Sequence, residues 1–370
     1  MAIVKLIDIC EKIGSGATPR GGKEAYCDEG ISLVRSQNVL DFSFSCDGLA
    51  FINDEQAKKL NNVEVLSRDV LLNITGDSVA RACIMNDEYL PARVNQHVAI
   101  LRGNKDTVLN NYILYFLQWR KGHLLQLASA GATRNALTKG MIEQLEIDLP
   151  SLDCQQKIVA ILDSLQEKIQ LNQKINDNLQ QQAQAIYTSM FIANADSAWT
   201  QGHLSDLITV KYGKEHKKLA DGIYPVFGSG GIMRYVERPL YTCESVLIPR
   251  KGTLNNVMYV NEPFWSVDTM FYTEMRLSNV AKFVFHFVKS KDLASMNAGS
   301  AVPSMTTDIL NALELAIPST DRLAEFEALV APMYQTMQAN DRESAKLVEL
   351  RNALLPKLMS GEIDVSEVNI

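Results

Sequence analysis

The sequence predicts an α+β protein in which two similar mixed α/β domains are separated by two long antiparallel helices that form a coiled coil. Three observations predict this fold. The sequence contains an internal repeat of two copies. Within each copy, short apolar runs alternate with segments rich in Gly, Asn and Ser, and a heptad pattern of apolar residues follows each copy. The internal duplication also predicts pseudo-two-fold symmetry, because a repeated unit closes most simply by a two-fold operation.

The internal repeat needs no gap over the later part of each copy. Shifting the sequence by 168 residues aligns Pro150 with Pro318, and the same shift aligns apolar positions on both sides. The shift grows to 198 further upstream, where Leu6 aligns with Leu204. The first copy therefore carries 30 extra residues.

The first part of each copy predicts strands joined by long loops. Short apolar runs bounded by turn-forming residues are typical of strands, and they lie at 70–72, 98–101, 246–248 and 270–272. A helix is predicted near 111–121 after the N-cap residue Asn110, and its counterpart near 279–289 after Ser278.

The heptad pattern predicts a long helix after each domain. Apolar residues recur at spacings of four and three, which places them on one helix face. The residues expected to pair the helices are Ile158, Leu162, Leu165, Ile169, Asn172, Leu179, Ile186, Met333, Met337, Asn340, Leu347 and Leu354. Asn172 and Asn340 stand at equivalent positions and could pair and fix the register. The alternative, a helix that packs only against its own domain, fits so long a seam poorly.

These patterns divide the chain into five segments. We predict a first domain at 1–150, a long helix at 151–195, a second domain at 196–318, a second long helix at 319–360 and a polar tail at 361–370. Symmetry places the tail near the first domain.

The composition excludes several classes of protein. The hydrophobic fraction of 46% is that of a globular chain, and no uncharged apolar window approaches the length of a membrane span. Neither a span nor a secretory leader is therefore predicted, and we expect a cytoplasmic protein. The six cysteines form no C-x-x-C pair, which argues against structural zinc. The net charge of −7 counts against a simple basic nucleic-acid binder.

The sequence contains no convincing catalytic motif. No window matches the P-loop, and the glycine run at 227–231 is followed by a predicted strand rather than by the helix that a nucleotide site requires. Glu215 and Lys217 form an E-x-K pair, but no convincing acidic strand precedes them, so we interpret them as a charged loop. The sequence therefore predicts a chain that is not an enzyme by itself and has no metal or cofactor of its own.

Polar and cationic residues in predicted loops indicate a recognition function instead. Lysines suit phosphates, Arg suits guanine, and Asn or Gln suits adenine. The candidate DNA-contacting residues are Thr18, Arg20, Arg35, Gln37, Asn38, Thr75, Asn95, Gln96, Arg134, Lys211, Tyr212, Lys214, Lys217, Lys218, Ser229, Arg250, Lys251 and Thr253. Residues 250–253 occupy the position of 74–77 in the first copy, so the two copies look like related readers with different targets.

The chain resembles the specificity subunits of type I restriction-modification systems over essentially its whole length. The order of the segments carries the resemblance: LIDI at 6–9, GATP at 16–19, the strand-to-glycine turn at 69–76, VNQH at 94–97, and the Leu-Pro at 149–150 that leads into QQKI at 155–158. The order and the duplication are specific, whereas no single motif is.

The resemblance implies two target-recognition domains that each read one half of a split DNA sequence, spaced by two helices packed antiparallel. It also implies that the chain recruits two methyltransferase subunits and optionally two restriction subunits. Those partners would hold the S-adenosylmethionine, ATP and magnesium sites. Because partners that enclose the DNA can supply positive charge, the acidic net charge is compatible with this function.

Two alternatives remain open from the sequence. The chain could be a coiled-coil adaptor or scaffold without DNA contact, or, as a third possibility, a solitary DNA methyltransferase. A DNA reader loses affinity linearly with the logarithm of salt concentration, whereas a scaffold does not. Bound S-adenosylmethionine on the isolated chain would indicate the methyltransferase.

Overall fold

In a computed structural model of the protein, the described residues are 2–19, 21–129, 135–296 and 304–368. They divide into two compact units. The first unit comprises Met1–Leu171 and Arg342–Ile370, and the second comprises Asn172–Asp341. No helix of the described residues combines the length and the hydrophobicity needed to cross a membrane.

The first unit is built on small sheets with helices packed against them. Its strands are β1 (Ala2–Lys5), β2 (Cys10–Ser15), β3 (Ile31–Val34), β4 (Ala50–Ile52), β5 (Glu64–Val65), β6 (Val70–Asn73), β7 (Ala82–Ile84), β8 (Ala92–Val94), β9 (Val98–Gly103) and β10 (Glu146–Leu149). Its shorter helices are α1 (Leu6–Ile9), α2 (Asp54–Lys59), α3 (Asn110–Trp119), α4 (Lys121–Ser129) and α5 (Lys139–Glu143). One sheet has the order β2-β9-β6-β7, another β4-β3-β8-β5, and β1 pairs with β10.

The second unit repeats this plan with shorter connections. Following the long helix α6 (Leu152–Thr188), its strands are β11 (Thr200–His203), β12 (Ile208–Tyr212), β13 (Asp221–Gly228), β14 (Gly231–Val236), β15 (Ser245–Pro249), β16 (Met258–Val260), β17 (Trp265–Ser266), β18 (Met270–Met275) and β19 (Glu314–Ile317). The helices are α7 (Leu204–Leu207), α8 (Ala281–Lys289), α9 (Thr307–Asn311) and α10 (Thr320–Met359). The sheet orders are β12-β18-β15-β16 and β14-β13-β17, and β11 pairs with β19.

The two units share their topology and the sense of their shared pairings, while β5, at the edge of the first unit's second sheet, has no counterpart among the described strands of the second unit. The strand β3 pairs in parallel with β8 and antiparallel with β4, while β13 pairs in parallel with β17 and antiparallel with β14. Even the first turn is repeated, because Asp8 accepts a hydrogen bond from the backbone N–H of Lys5 and Asp206 accepts one from that of His203. The predicted internal duplication is therefore a structural one.

The two long helices run antiparallel in each unit. In the first unit, Gln166 of α6 accepts a hydrogen bond from Arg351 of α10 at 2.6 Å, and Lys168 pairs with Glu343 at 3.1 Å. In the second unit, Asn172 donates to the carbonyl of Asn340 at 3.4 Å. As the residue number increases along α6, the residue number of its partner in α10 decreases.

The helix contact is less apolar than the heptad pattern predicts. Ile158 and Leu162 are buried, whereas Leu165, Ile169, Leu179, Ile186, Met333, Met337, Leu347 and Leu354 are only half-buried. In the second unit Asn176, which the sequence analysis did not select, accepts a hydrogen bond from the Asn340 amide and donates one to Asp341, both at 2.8 Å. Asn340 therefore pairs through its side chain with Asn176, while Asn172 donates to the Asn340 carbonyl, because one helical turn separates the two α6 positions.

Three local expectations are wrong. Asn110 lies inside α3, where its carboxamide oxygen accepts the N–H of Gly103 at 2.7 Å, so Leu109 is the N-cap. Helix α8 starts at Ala281 after Val280, two residues beyond Ser278. The tail is also not uniformly polar, since Val365 is buried in the core of the first unit and Ser366 accepts a hydrogen bond from Lys157.

Candidate nucleic-acid interface

A cleft of about 470 Å³ in the first unit gathers polar side chains from several loops. It is lined by Ser36, Gln37, Thr75, Asp77, Arg81 and His97. We call these residues, together with the exposed Thr18 and Gln96, the first surface.

Hydrogen bonds tie three loops together at the first surface. The Thr75 hydroxyl lies 2.6 Å from Nδ1 of His97, and the Gln96 amide lies 2.8 Å from Nε2 of the same ring. The Thr18 hydroxyl donates to the carboxamide oxygen of Gln96. Because these loops follow β2, β6 and β8, the sheets present them side by side.

Backbone constraints explain why the loops meet there. A Cβ on Gly16 would lie 1.7 Å from the carbonyl oxygen of Val94, so only glycine allows β2 to end against β8. Buried Asn73 donates to the carbonyls of Ser36 and Val39, which holds the turn after β3. Gly76 has φ +73°, a conformation that suits glycine at the turn after β6.

Three of the sequence-predicted base readers have structural roles instead. Asn38 is fully buried, and its amide donates to the carbonyls of Ser45 and Asp47, so it cannot reach a base. Asn95 is 7% exposed and accepts the N–H of His97, which shapes the loop after β8. Arg35 lies over the Tyr26 ring and donates to the carbonyl of Gly48. One of its donors therefore supports the loop between β3 and β4, much as Arg250 donates to the Asp268 carbonyl in the second unit.

The second unit gathers cations around an aromatic side chain. The guanidinium of Arg250 lies 5.4 Å from the ring centre of Tyr212, which is 52% exposed. Trp265 donates to the carbonyl of Lys214 at 2.9 Å, and Asn256 donates to that of Ser229 at 2.8 Å. We call this set the second surface; it comprises Tyr212, Lys214, Lys217, Lys218, Ser229, Arg250, Lys251 and Thr253.

The lysine-rich loop of the second surface is held by a carboxylate. Glu215 accepts the backbone N–H groups of Lys217 and His216, each at 2.9 Å, and the first of these bonds contributes most to lowering the pKa of Glu215. This use of Glu215 supports its interpretation as a loop residue rather than as half of a nuclease pair. Lys211, by contrast, pairs with Glu274 at 3.4 Å, so its charge is partly neutralised.

The two surfaces occupy equivalent places in the repeat. Gly76 follows β6 with φ +73°, and Gly252 follows β15 with φ +83°. An isolated antiparallel β-bridge holds each turn, and it joins Thr75 to Ala136 in the first unit and Lys251 to Ser304 in the second. The same backbone thus presents a threonine in one unit and a lysine in the other.

Not every candidate can be placed, and some contributors were not predicted. Arg20 and Arg134 lie outside the described residues. The sequence analysis did not select Arg81, which lines the cleft of the first surface. Its position between the Gly76 turn and β7 could have indicated it. Within the described ranges, no group of three His, Cys, Asp or Glu residues could hold a metal ion.

Comparison with known proteins gives a consistent result. The family model described as the type I restriction modification DNA specificity domain matches residues 1–181 and 196–323. The specificity subunit of the type I restriction enzyme MjaIX of Methanocaldococcus jannaschii is 21% identical over 99% of this chain and 94% of its own length. The HindI specificity subunit of Haemophilus influenzae is 20% identical, over 90% of this chain and 94% of its own length.

A solved structure shows the same fold. The S subunit of a type I restriction-modification system from M. genitalium superimposes with a TM-score of 0.62 at 15% identity, covering 97% of this chain and 96% of that one. The family match favours DNA recognition over the scaffold and the solitary methyltransferase. The chain belongs to the family of type I restriction-modification DNA specificity subunits, which recognise DNA for a multi-subunit system without catalysing a reaction themselves.

Proposed function

We propose that the first and second surfaces each read one half of a bipartite DNA target. The observation that carries the proposal is the equivalence of the two glycine turns, at Gly76 and Gly252, which bear different side chains on the same backbone. Polar groups that converge from several loops suit the edges of base pairs in the major groove.

The chemistry of the two surfaces differs in a way that suits different half-sites. The first surface offers amide and hydroxyl groups, such as Gln96 and the exposed Gln37, whose amide nitrogen also donates to the carbonyls of Asp47 and Gly48. Amides of this kind pair with adenine edges. The second surface offers cations, and within the described residues no ion pair engages Lys214, Lys217, Lys218 or Lys251. Exposed lysines of this kind suit phosphates, while Arg250 suits guanine.

The helices α6 and α10 serve as the spacer between the half-sites in this proposal. The chain recruits two methyltransferase subunits, and two restriction subunits where the system also cleaves DNA. S-adenosylmethionine, ATP and magnesium belong to these partners. The resemblance supports this division of labour, and so do the family match and the names of the relatives, each a restriction enzyme specificity subunit.

Methylation mapping of the host genome with and without the gene tests the proposed function. We expect one bipartite motif, two specific halves around a non-specific gap, to lose methylation when the gene is deleted. Binding of the assembled complex to that motif should weaken linearly with the logarithm of salt concentration. An unchanged methylation map would contradict the proposal.

A further inference from the structure

The strand β14 contains an irregularity that exposes one apolar side chain. Ile232 pairs with Phe227 and Arg234 pairs with Val226, so Met233 is an extra residue with no partner across the ladder. Such a β-bulge changes the direction of the side chain that it carries. The side chain of Met233 lies over Gly228, whose added Cβ would be 2.6 Å from the Met233 sulfur, and it is 61% exposed.

The bulge places Met233 over Gly228, in the hairpin whose turn contacts the Arg250 to Thr253 loop. A Cβ added to Gly228 would also lie 3.8 Å from the Val267 side chain. The carbonyl of the next residue, Asp268, accepts a hydrogen bond from Arg250 at 3.2 Å. At the turn of the same hairpin, the Ser229 hydroxyl lies 2.7 Å from the Cβ position of Gly252. Met233 is therefore linked to the Arg250 to Thr253 loop through two adjacent residues, Gly228 and Ser229.

An exposed methionine near a cationic surface can make an apolar contact on a polyanionic partner. Duplex DNA offers one in its major groove, the C5-methyl group of thymine. The unbranched, polarizable methionine side chain adapts well to such a contact. The neighbouring lysines and Arg250 complement the phosphates and guanine edges that surround a thymine in DNA, so charge complementarity selects DNA as the occupant.

We propose that Met233 is a specificity-determining residue of the second half-site, where it reads the methyl group of a thymine beside the base pair contacted by Arg250. This inference rests on the proposed function and names the chemistry that the second surface recognises. The equivalent connection of the first unit, residues 35–49 between β3 and β4, is much longer than the two-residue turn between β13 and β14, so we expect the methionine contact at the second half-site.

The test uses the assembled complex of this chain with its methyltransferase subunits and duplexes of the mapped target. Each thymine of the second half-site is replaced in turn by deoxyuridine, which removes only the methyl group. At one position we expect the wild-type complex to bind about fourfold more weakly, the effect of one lost apolar carbon contact. Met233→Ala should bind the thymine duplex about fourfold more weakly too, and should lose nothing further with deoxyuridine there.

Two controls separate the contact from a general disturbance. Met233→Leu should keep the deoxyuridine effect, and so should Ile232→Ala, because Ile232 lines a different cleft of the hairpin together with Tyr224 and Tyr235. A deoxyuridine effect that persists in Met233→Ala overturns the inference, as does a second half-site without thymine. An equal loss of binding on every DNA sequence would place Met233 against another subunit, which also overturns it. A genome map without a bipartite motif would instead contradict the proposed function itself.

Discussion

Apart from the edge strand β5, the first and second units share strand order and pairing, but they differ in what joins the equivalent strands. Residues 35–49 connect β3 to β4, whereas only Ser229 and Gly230 connect β13 to β14. The long connection is held together internally, with the amide of Asn38 and the guanidinium of Arg35 bonded to its own carbonyls. The short one is a tight hairpin that carries the Met233 bulge.

This contrast teaches that the scaffold and the recognition chemistry are encoded separately. The sheets need apolar residues at fixed positions, and both units have them, as at Leu6 and Leu204, which are fully buried. Loops between the strands tolerate insertions at small cost. One fold can therefore present an amide-rich surface in one unit and a cationic surface in the other.

A second contrast lies within the cores. Gln118 of α3 donates to the carbonyl of Ala82 at 2.8 Å, while its counterpart at the 168-residue shift, His286 of α8, contacts Gln184 and the Tyr334 hydroxyl at 2.8 and 2.9 Å. Burial, and to a lesser extent the Lys289 ammonium, lowers the pKa of His286 to about 4. The two cores are thus built alike but respond differently to acid.

The largest effect is expected from separating the two readers. Duplicating residues 172–178 and 340–346 adds one heptad to α6 and to α10 and repeats the Asn contacts. At 1.5 Å per residue and about 3.4 Å per base pair, the spacer grows by roughly three base pairs. We expect methylation of natural sites to be lost and sites with a gap about three base pairs longer to be preferred. A library of sites that differ only in gap length measures this.

The matched control for this variant duplicates four residues in each helix, which rotates the apolar face away from its partner and should abolish activity. An active heptad variant whose preferred gap is unchanged would show that the helices are not the spacer.

The next effect comes from two equivalent glycines. A Cβ on Gly213 would lie 2.0 Å from the carbonyl oxygen of Val267, the counterpart of the contact at Gly16. We expect Gly213→Ala to lower the free energy of unfolding by about 3 kcal/mol and to remove discrimination at the second half-site only. Gly16→Ala should destabilise the protein in the same way but remove discrimination at the first half-site only. Gly230→Ala should be neutral, because a Cβ on Gly230 would meet no atom within 4 Å. Thermal unfolding and methylation of half-altered sites distinguish the three; equal loss at both halves would contradict independent readers.

Acid should destabilise the second unit through His286. Its folded pKa of about 4 lies below the ordinary value of about 6.5, so the unfolded chain binds the proton more tightly and stability falls between those two values as pH decreases. We expect His286 to account for a loss of about 2 kcal/mol between pH 7 and pH 5. His286→Gln, which copies Gln118 of the first unit, should remove that part. Hydrogen exchange of each unit measures it, and an identical acid response in the variant would exclude the histidine.

The smallest effects should come from single contacts on the second surface. Arg250→Ala should reduce discrimination at one base pair of the second half-site by about tenfold, within the usual range for a bidentate base contact. Lys251→Ala should weaken binding to all sequences alike and reduce the salt slope by about one. Gln37→Ala on the first surface should change only the first half-site. These predictions are tested by measuring methylation of sites altered in one half. An unchanged profile would show that the residue concerned does not contact DNA.

The sequence by itself determined the duplication, the class of the elements with the clearest patterns and the direction of the long helices. These follow from local periodicity and from the repeat, as the strand at 70–72 and its counterpart at 246–248 illustrate. The sequence also selected the turn before Gly252 as a reading loop. Polar residue types sufficed for that choice, because phosphates and base edges require them.

Only the tertiary structure decided which polar residues can face a ligand. Asn38 and Gln37 are neighbours of similar chemistry, yet the first is fully buried and the second is exposed, because the loop closes over one of them. The helix contact depends likewise on Asn176, one turn from the predicted Asn172. Met233 reaches the second surface through a bulge, an irregularity of strand pairing that is set by a partner strand. Burial, register and bulges are properties of packed pairs, which no single stretch of sequence contains.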